Sequence, residues 1–191
     1  MILLSTMPNL VKSWFGNQFT LLHPLLQQLH LIGGCLSGRV NIEYGSGLAG
    51  VIGRRIAKKM NLPSSGQHNL SVYISHQEDG LHWGRCFNSQ QVVESVFKPV
   101  GTVNTGYWIE ETGPLRMRLT VDIINGGWHW RCTRIQLMGI FVPRWLLPVT
   151  SAYKNVEYVQ DKPFYRFHVS FSLPYIGMLV KYSGLLDVNS R

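Results

Sequence analysis

The stretch from Thr105 to Met138, TGYWIEETGPLRMRLTVDIINGGWHWRCTRIQLM, decides the fold. In its middle Leu115, Met117, Leu119, Val121 and Ile123 are apolar, while Arg116, Arg118, Thr120 and Asp122 between them are polar. A period of two is that of a strand with one dry and one wet face. Turn signals flank it, Thr112-Gly113-Pro114 before and Asn125-Gly126-Gly127 after, so three strands run up, down and up. On the third, Trp128, Trp130 and Cys132 share one phase and Ile135 and Leu137 take the other, which predicts a β-bulge near Thr133–Arg134.

The alternation continues outward from this unit. Leu70, Val72, Ile74 and His76 form one strand, Leu81 to Phe87 another and Val92 to Phe97 a third. Downstream, Tyr165, Phe167, Val169, Phe171 and Leu173 alternate again, and Met178 to Leu186 makes the last strand. Residues 139–163 carry three prolines and are less regular, with a short strand expected at Asn155–Val159. Near the start, Asn9 caps a short helix that Gly16 ends, and His23-Pro24 opens a second whose Leu22, Leu25, Leu26 and Leu29 form one face. Leu36, Val40, Ile42 and Tyr44 mark a strand, and Leu48, Ile52, Ile56 and Met60 the apolar stripe of a further helix. The expectation is a single α+β domain over residues 1–191, with a helical part at about 9–60 and a β-meander at about 69–187. Its core is a mainly antiparallel, strongly curved sheet or barrel of about eight or nine strands, with the N-terminal helices packed against it.

Composition narrows the partners. Of 191 residues only 15 % are charged, below the roughly 25 % usual in soluble domains, so apolar groups must be buried or held at a contact surface. The net charge of +8 is uneven: residues 1–60 carry six Lys/Arg against one acid, and residues 61–191 twelve against nine. The one dense run is Arg54, Arg55, Lys58 and Lys59 on a single helix, with no zinc-finger spacing and no aromatic RNA-binding signature, which argues against a nucleic-acid partner. Cys35, Cys86 and Cys132 are widely spaced and odd in number, as expected for buried thiols in a reducing compartment. MILLSTMPNL has no basic n-region, and no apolar run reaches the ~18 residues of a membrane span, so a soluble cytoplasmic protein is expected.

Three constellations bear on chemistry. Gly45-Ser46-Gly47-Leu48-Ala49-Gly50 spells GxGxxG between a strand and a helix, but no acidic residue ends a following strand about 20 residues on and no second βα unit appears, so a tight turn is expected and no cofactor. Trp83, Arg85 and Phe87 share a phase, which aims Arg85 wherever the rings point; buried there, its guanidinium needs a partner, with Glu110 first and Glu94 second, and at the rim it would pack flat over aromatics. Trp128 and Trp130 present two indoles on one face, as core, barrel mouth or ligand cage. No Ser elbow, CxxC or HExxH is present, and His23 and His30 lie two helical turns apart, too far to share a metal ion.

The chain resembles the bacterial domain-of-unknown-function family numbered 4166, through Trp83-Gly84-Arg85-Cys86-Phe87, Trp108-Ile109-Glu110-Glu111-Thr112-Gly113-Pro114-Leu115, Gly139-Ile140-Phe141-Val142-Pro143-Arg144-Trp145-Leu146-Leu147-Pro148, and Pro174-Tyr175-Ile176-Gly177-Met178-Leu179-Val180-Lys181-Tyr182-Ser183-Gly184. The resemblance implies no activity and no catalytic residues. It implies relatives fused to saccharopine-dehydrogenase-like NAD-binding domains. The expectation is a non-catalytic domain that binds a small apolar or acidic ligand through Arg85, Glu110, Trp83, Trp128 and Trp130. The alternatives are an accessory domain docking on a dehydrogenase-like partner through the basic helix, or an isomerase or hydrolase using Glu110.

Overall fold

Turn chemistry sets the strand boundaries. Asn125 (φ 50°) and Gly126 (φ 75°) both take the left-handed region, the arrangement that joins antiparallel strands through a two-residue turn. The computed structural model describes residues 9–189; the opening residues 1–8, on which the leader reading partly rests, lie outside them. Eleven strands follow in order: β1 (Gly34–Tyr44), β2 (Gly66–Gln77), β3 (Gly80–Phe87), β4 (Gln91–Val100), β5 (Tyr107–Thr112), β6 (Leu115–Ile124), β7 (Gly127–Leu137), β8 (Ile140–Phe141), β9 (Val149–Val159), β10 (Lys162–Leu173) and β11 (Gly177–Asn189). All except β8 form a closed antiparallel barrel of ten strands, because β1 pairs with both β2 and β11 while β7 pairs with both β6 and β9. The two-residue β8 adds outside, on the end of β7.

This corrects the expected count of eight or nine strands and the α+β class: the molecule is mostly β, with a few short helices. The two-residue β8 is not among the expected strands, and the short strand expected at Asn155–Val159 begins earlier, at Val149. The inward members of the added half-strand, Val149–Lys154, are Thr150, Ala152 and Lys154, so the apolar alternation that marks the other strands is missing there.

The bulge forms as the phases require. Leu119 pairs with Cys132 and Arg118 with Arg134, leaving Thr133 as the extra residue, and Ile135 is thereby returned to the buried face. Only the first part of β7 pairs with β9, Trp128–Trp130 facing Lys154–Ala152, while Gln136 and Leu137 pair with β8. Beyond Trp130 the backbone pairing ends, with Cys132 N donating to Thr150 Oγ1 (3.0 Å), and residues 138–148 link the two barrel strands over that opening.

Helices close the two ends differently. At one end, α1 (Leu10–Phe15), a 3-10 turn (Gly16–Leu21) and α2 (Pro24–Ile32) plug the barrel. Asn9 caps α1 by accepting from Lys12 N (3.0 Å), the Trp14 indole donates to Val100 O (3.2 Å), and His23 N donates to Gly126 O (2.9 Å). Phe15 stacks edge-on to Trp128 at 4.7 Å and Trp14 to Trp108 at 5.5 Å, so helix and barrel share one aromatic core. At the other end lies α3 (Gly47–Lys59). A Cβ on Gly45 would sit 1.8 Å from Met178 O, one on Gly50 1.9 Å from Gly45 O and one on Gly53 2.1 Å from Leu179 O. Gly45 and Gly50 of the GxGxxG stretch, with Gly53 beyond it, therefore let α3 fold back and lie against β11, and Gly47 makes the turn in the left-handed region (φ 54°).

Candidate functional site

Seven polar side chains enter the barrel because each occupies the inward phase of its own strand. Arg85 lies between Trp83 and Phe87 on β3, and Ser95 between Val93 and Phe97 on β4, all four neighbours buried. Glu110 and Thr112 follow the buried Trp108 on β5, Lys154 follows Ala152 on β9, Tyr165 precedes the buried Phe167 on β10, and Tyr182 comes from β11. Their partners are mostly one another. Arg85 Nη1 donates to Tyr182 OH (3.0 Å) and Nη2 to Ser95 Oγ; Ser95 Oγ (3.2 Å) and Thr112 Oγ1 (3.1 Å) both donate to Glu110 Oε1.

The expected direct pair between Arg85 and Glu110 is not made. Arg85 faces Val93 on β4 and Glu110 faces Phe97 on the same strand, so β4 stands between them, about 9–10 Å from strand to strand. Ser95 bridges the gap, and guanidinium and carboxylate compensate each other through its hydroxyl. Glu94, the second candidate, points outward and lies 3.4 Å from His82 Nδ1.

Lys154 is more unusual. It is buried at 6 % exposure, and its Nζ lies 3.8 Å from the centre of the Trp83 ring, 4.6 Å from Trp128 and 5.3 Å from Trp130. Its hydrogen-bond partner is His30, at 3.3 Å from Nε2. His30 Nδ1 is 2.7 Å from Leu26 O, so Nδ1 carries the proton and donates, leaving Nε2 as the acceptor for Lys154. Burial holds the Lys154 amine well below its ordinary pKa; Glu110 opposes that shift and Arg85 adds to it. Burial, then Lys154, likewise hold the His30 imidazole well below its ordinary value. The negative ring faces work the other way on Lys154, favouring the ammonium.

Beyond this polar layer, toward α3, lies a cavity of about 230 Å³. Its walls are apolar: Val72, Leu119, Val169 and Phe171 from the barrel, Ile56 and Met60 from α3, and Val142 and Leu146 from the link across the β7–β9 gap. Arg85, Glu110, Lys154, Tyr165 and Tyr182 form its polar end. Among the described residues, three buried donors on its lining side chains have no partner: Arg85 Nε, the Tyr165 hydroxyl and Trp83 Nε1. Burial keeps Tyr165 protonated by pushing its phenol well above the ordinary value. Cys132 also lines the space, with its thiol pushed up to about 12 by burial, so it offers no thiolate near neutral pH.

Of the residues singled out in the sequence, Arg85, Glu110, Trp83 and Trp130 meet at this cavity. Trp128 is fully buried one layer below, between Phe15 and His30 (4.7 Å to each), and does not reach it. Arg54, Arg55, Lys58 and Lys59 lie exposed on α3, outside the cavity. Sequence reasoning missed Lys154, His30, Ser95, Thr112, Tyr165 and Tyr182. The signal was present for most of them: a polar group in an apolar phase, the signal that singled out Arg85.

Residues 22–186 match the family model described as Domain of unknown function (DUF4166), which covers most of the chain. No curated protein and no solved structure matches.

Proposed function

We propose that this chain, a member of the DUF4166 family, is a non-catalytic carrier or sensor of a small amphiphilic anion, held with its apolar body in the barrel and its acidic group on Arg85. The observation that carries this reading is an apolar-walled cavity whose polar end presents two buried donors, Arg85 Nε and Tyr165 OH, without a partner among the described residues. Leaving such groups unmatched costs about 1–3 kcal/mol each, and a ligand oxygen placed between them recovers that cost. Size sets the ligand. Since a cavity of ~150 Å³ holds a benzene ring, about 230 Å³ holds roughly nine or ten non-hydrogen atoms, the size of a medium-chain carboxylate or an aryl-alkanoic acid. The inert Cys132 thiol and the absence of a Ser or Cys nucleophile with an adjacent base among the described cavity residues favour binding over acyl chemistry.

The test is calorimetric titration of delipidated protein with octanoate, octanol and octylamine. Octanoate binds at one site, octanol more weakly and octylamine not at all. Arg85→Lys keeps the charge but loses the planar fork, and lowers octanoate affinity roughly tenfold while leaving octanol unchanged. Equal affinity for all three, or an Arg85→Lys variant indistinguishable from the parent, rules the reading out.

A further inference from the structure

We infer that the end of the barrel bearing α3 docks on an anionic lipid surface. Three segments surround that end: α3, the 138–148 link with the first residue of β9, and the turn between β10 and β11. Lys59 Nζ lies 3.2 Å from Met138 Sδ and joins the first two. The third meets α3 where Gly45 and Gly53 approach the Met178 and Leu179 carbonyls.

Nine of the seventeen exposed large apolar side chains among the described residues lie on these segments; the opposite end exposes Leu21, Ile32 and Tyr158 with no comparable basic run beside them. Trp145 and Ile140 are each 74 % exposed, Val149 67 % and Leu48 64 %, and Phe141 and Tyr175 stand out beside them. They lie around the end through which the cavity reaches α3 and the link, whereas the barrel wall shows alternating polar residues such as Arg116, Arg118, Thr120 and Asp122 on its outside. A wall that is polar outside and apolar inside is the reverse of a membrane-spanning barrel, so contact with lipid is restricted to this rim.

Charge selects the occupant. Arg54, Arg55, Lys58 and Lys59 are exposed on α3, and none of them has a salt-bridge partner among the described residues. Neither the segment from Gly45 to Gln77 nor that from Ile123 to Val156 contains a single acid, and Arg144 adds another base beside Trp145. Glu43 and Glu111, carboxylates carried by strands that end on this side, are engaged by Lys181 and by Lys98 and Arg116. Leu48, Val51, Arg55 and Lys58 share one stripe of α3 by their spacing, apolar then basic, and Trp and Tyr are the residues that sit at headgroup level. Unpaired bases beside projecting rings around the mouth of an apolar cavity match the headgroup layer of an anionic bilayer, where bases meet phosphates and rings lie at headgroup level.

The experiment is co-sedimentation of the full chain with vesicles of phosphatidylcholine alone, and of phosphatidylcholine with phosphatidylglycerol at about three to one, a surface charge of the kind basic segments recognise. Binding to the anionic vesicles is expected, with little to the neutral ones, and it weakens as salt rises. The R55E/K58E variant loses roughly tenfold or more in vesicle affinity. Trp145→Ser, which leaves every charge in place, also loses binding, because insertion and attraction act together. All of these side chains are exposed, so both variants keep the parent's melting temperature and its octanoate affinity, which separates this inference from the ligand reading. Equal binding to both vesicle types, no binding to either, indifference to Trp145→Ser, or capture of a protein through this face without vesicle binding overturns it.

Discussion

Filling the cavity from its wall separates a functional space from a packing defect. Ala152 on β9 lies between Trp130 on β7 and Val169 on β10 and lines the cavity. Ala152→Leu adds three carbons at that point. Scaled from a benzene in ~150 Å³, they occupy about 75 Å³, or about a third of the 230 Å³ present. Burying three carbons at about 0.8 kcal/mol each gives an upper limit of about 2.4 kcal/mol of added stability. For a domain of this size that raises the midpoint of thermal unfolding by roughly 5–10 °C. The same side chain removes the room a ten-atom ligand needs, so octanoate affinity falls at least tenfold. Circular dichroism melts and calorimetric titration read the two effects, and their opposite signs are the diagnostic result. A variant destabilised by about 1–3 kcal/mol would mean that the interior is already full and the added carbons overpack it. A stabilised variant with unchanged octanoate affinity would mean that the ligand binds elsewhere.

Other perturbations probe the parts separately. Gly53→Ala puts a methyl 2.1 Å from the Leu179 carbonyl and costs about 1–3 kcal/mol, measured as a lower unfolding midpoint, because α3 must move off β11. His30 holds its pKa below the ordinary 6.5, so the unfolded chain takes up the proton first: stability is full above pH 6.5 and lost as pH falls below it. His76, His129 and His168 shift the same way, so His30→Gln lessens the acid slope of the melting temperature without abolishing it. Burial lowers the Lys154 pKa and the nearby Arg85 charge lowers it further; an anion on Arg85 offsets the second effect, so octanoate binding takes up protons, seen as a dependence of binding heat on buffer ionisation enthalpy, and Lys154→Met removes the dependence.

Much of the barrel could be read from period alone. Strands such as β6, with five apolar residues strictly alternating, declare both their direction of burial and their length, and the Trp128-to-Leu137 phase change places a bulge near Thr133–Arg134, where Thr133 is the extra residue. What escaped was the half-strand Val149–Lys154, whose inward positions are Thr150, Ala152 and Lys154. A strand that donates a polar group to the interior loses the very pattern by which strands are found, and Lys154 was hidden for that reason. The glycine motif reads as a tight turn. Gly45 and Gly50 of the motif, and Gly53 beyond it, face carbonyls 1.8–2.1 Å from a would-be Cβ, and Gly47 takes the left-handed region (φ 54°). Arg85 and Glu110 were legible as interior residues, but not the Ser95 relay between them. Which strand separates two residues depends on order around the barrel, and a single strand's pattern does not contain it.

The most direct trial of the account is native mass spectrometry of the delipidated protein with octanoate, octanol and octylamine present together at equal concentration. The cavity ending on Arg85 and Tyr165 predicts one dominant adduct, protein with a single octanoate. Bare protein throughout, or an adduct dominated by octylamine, would contradict it.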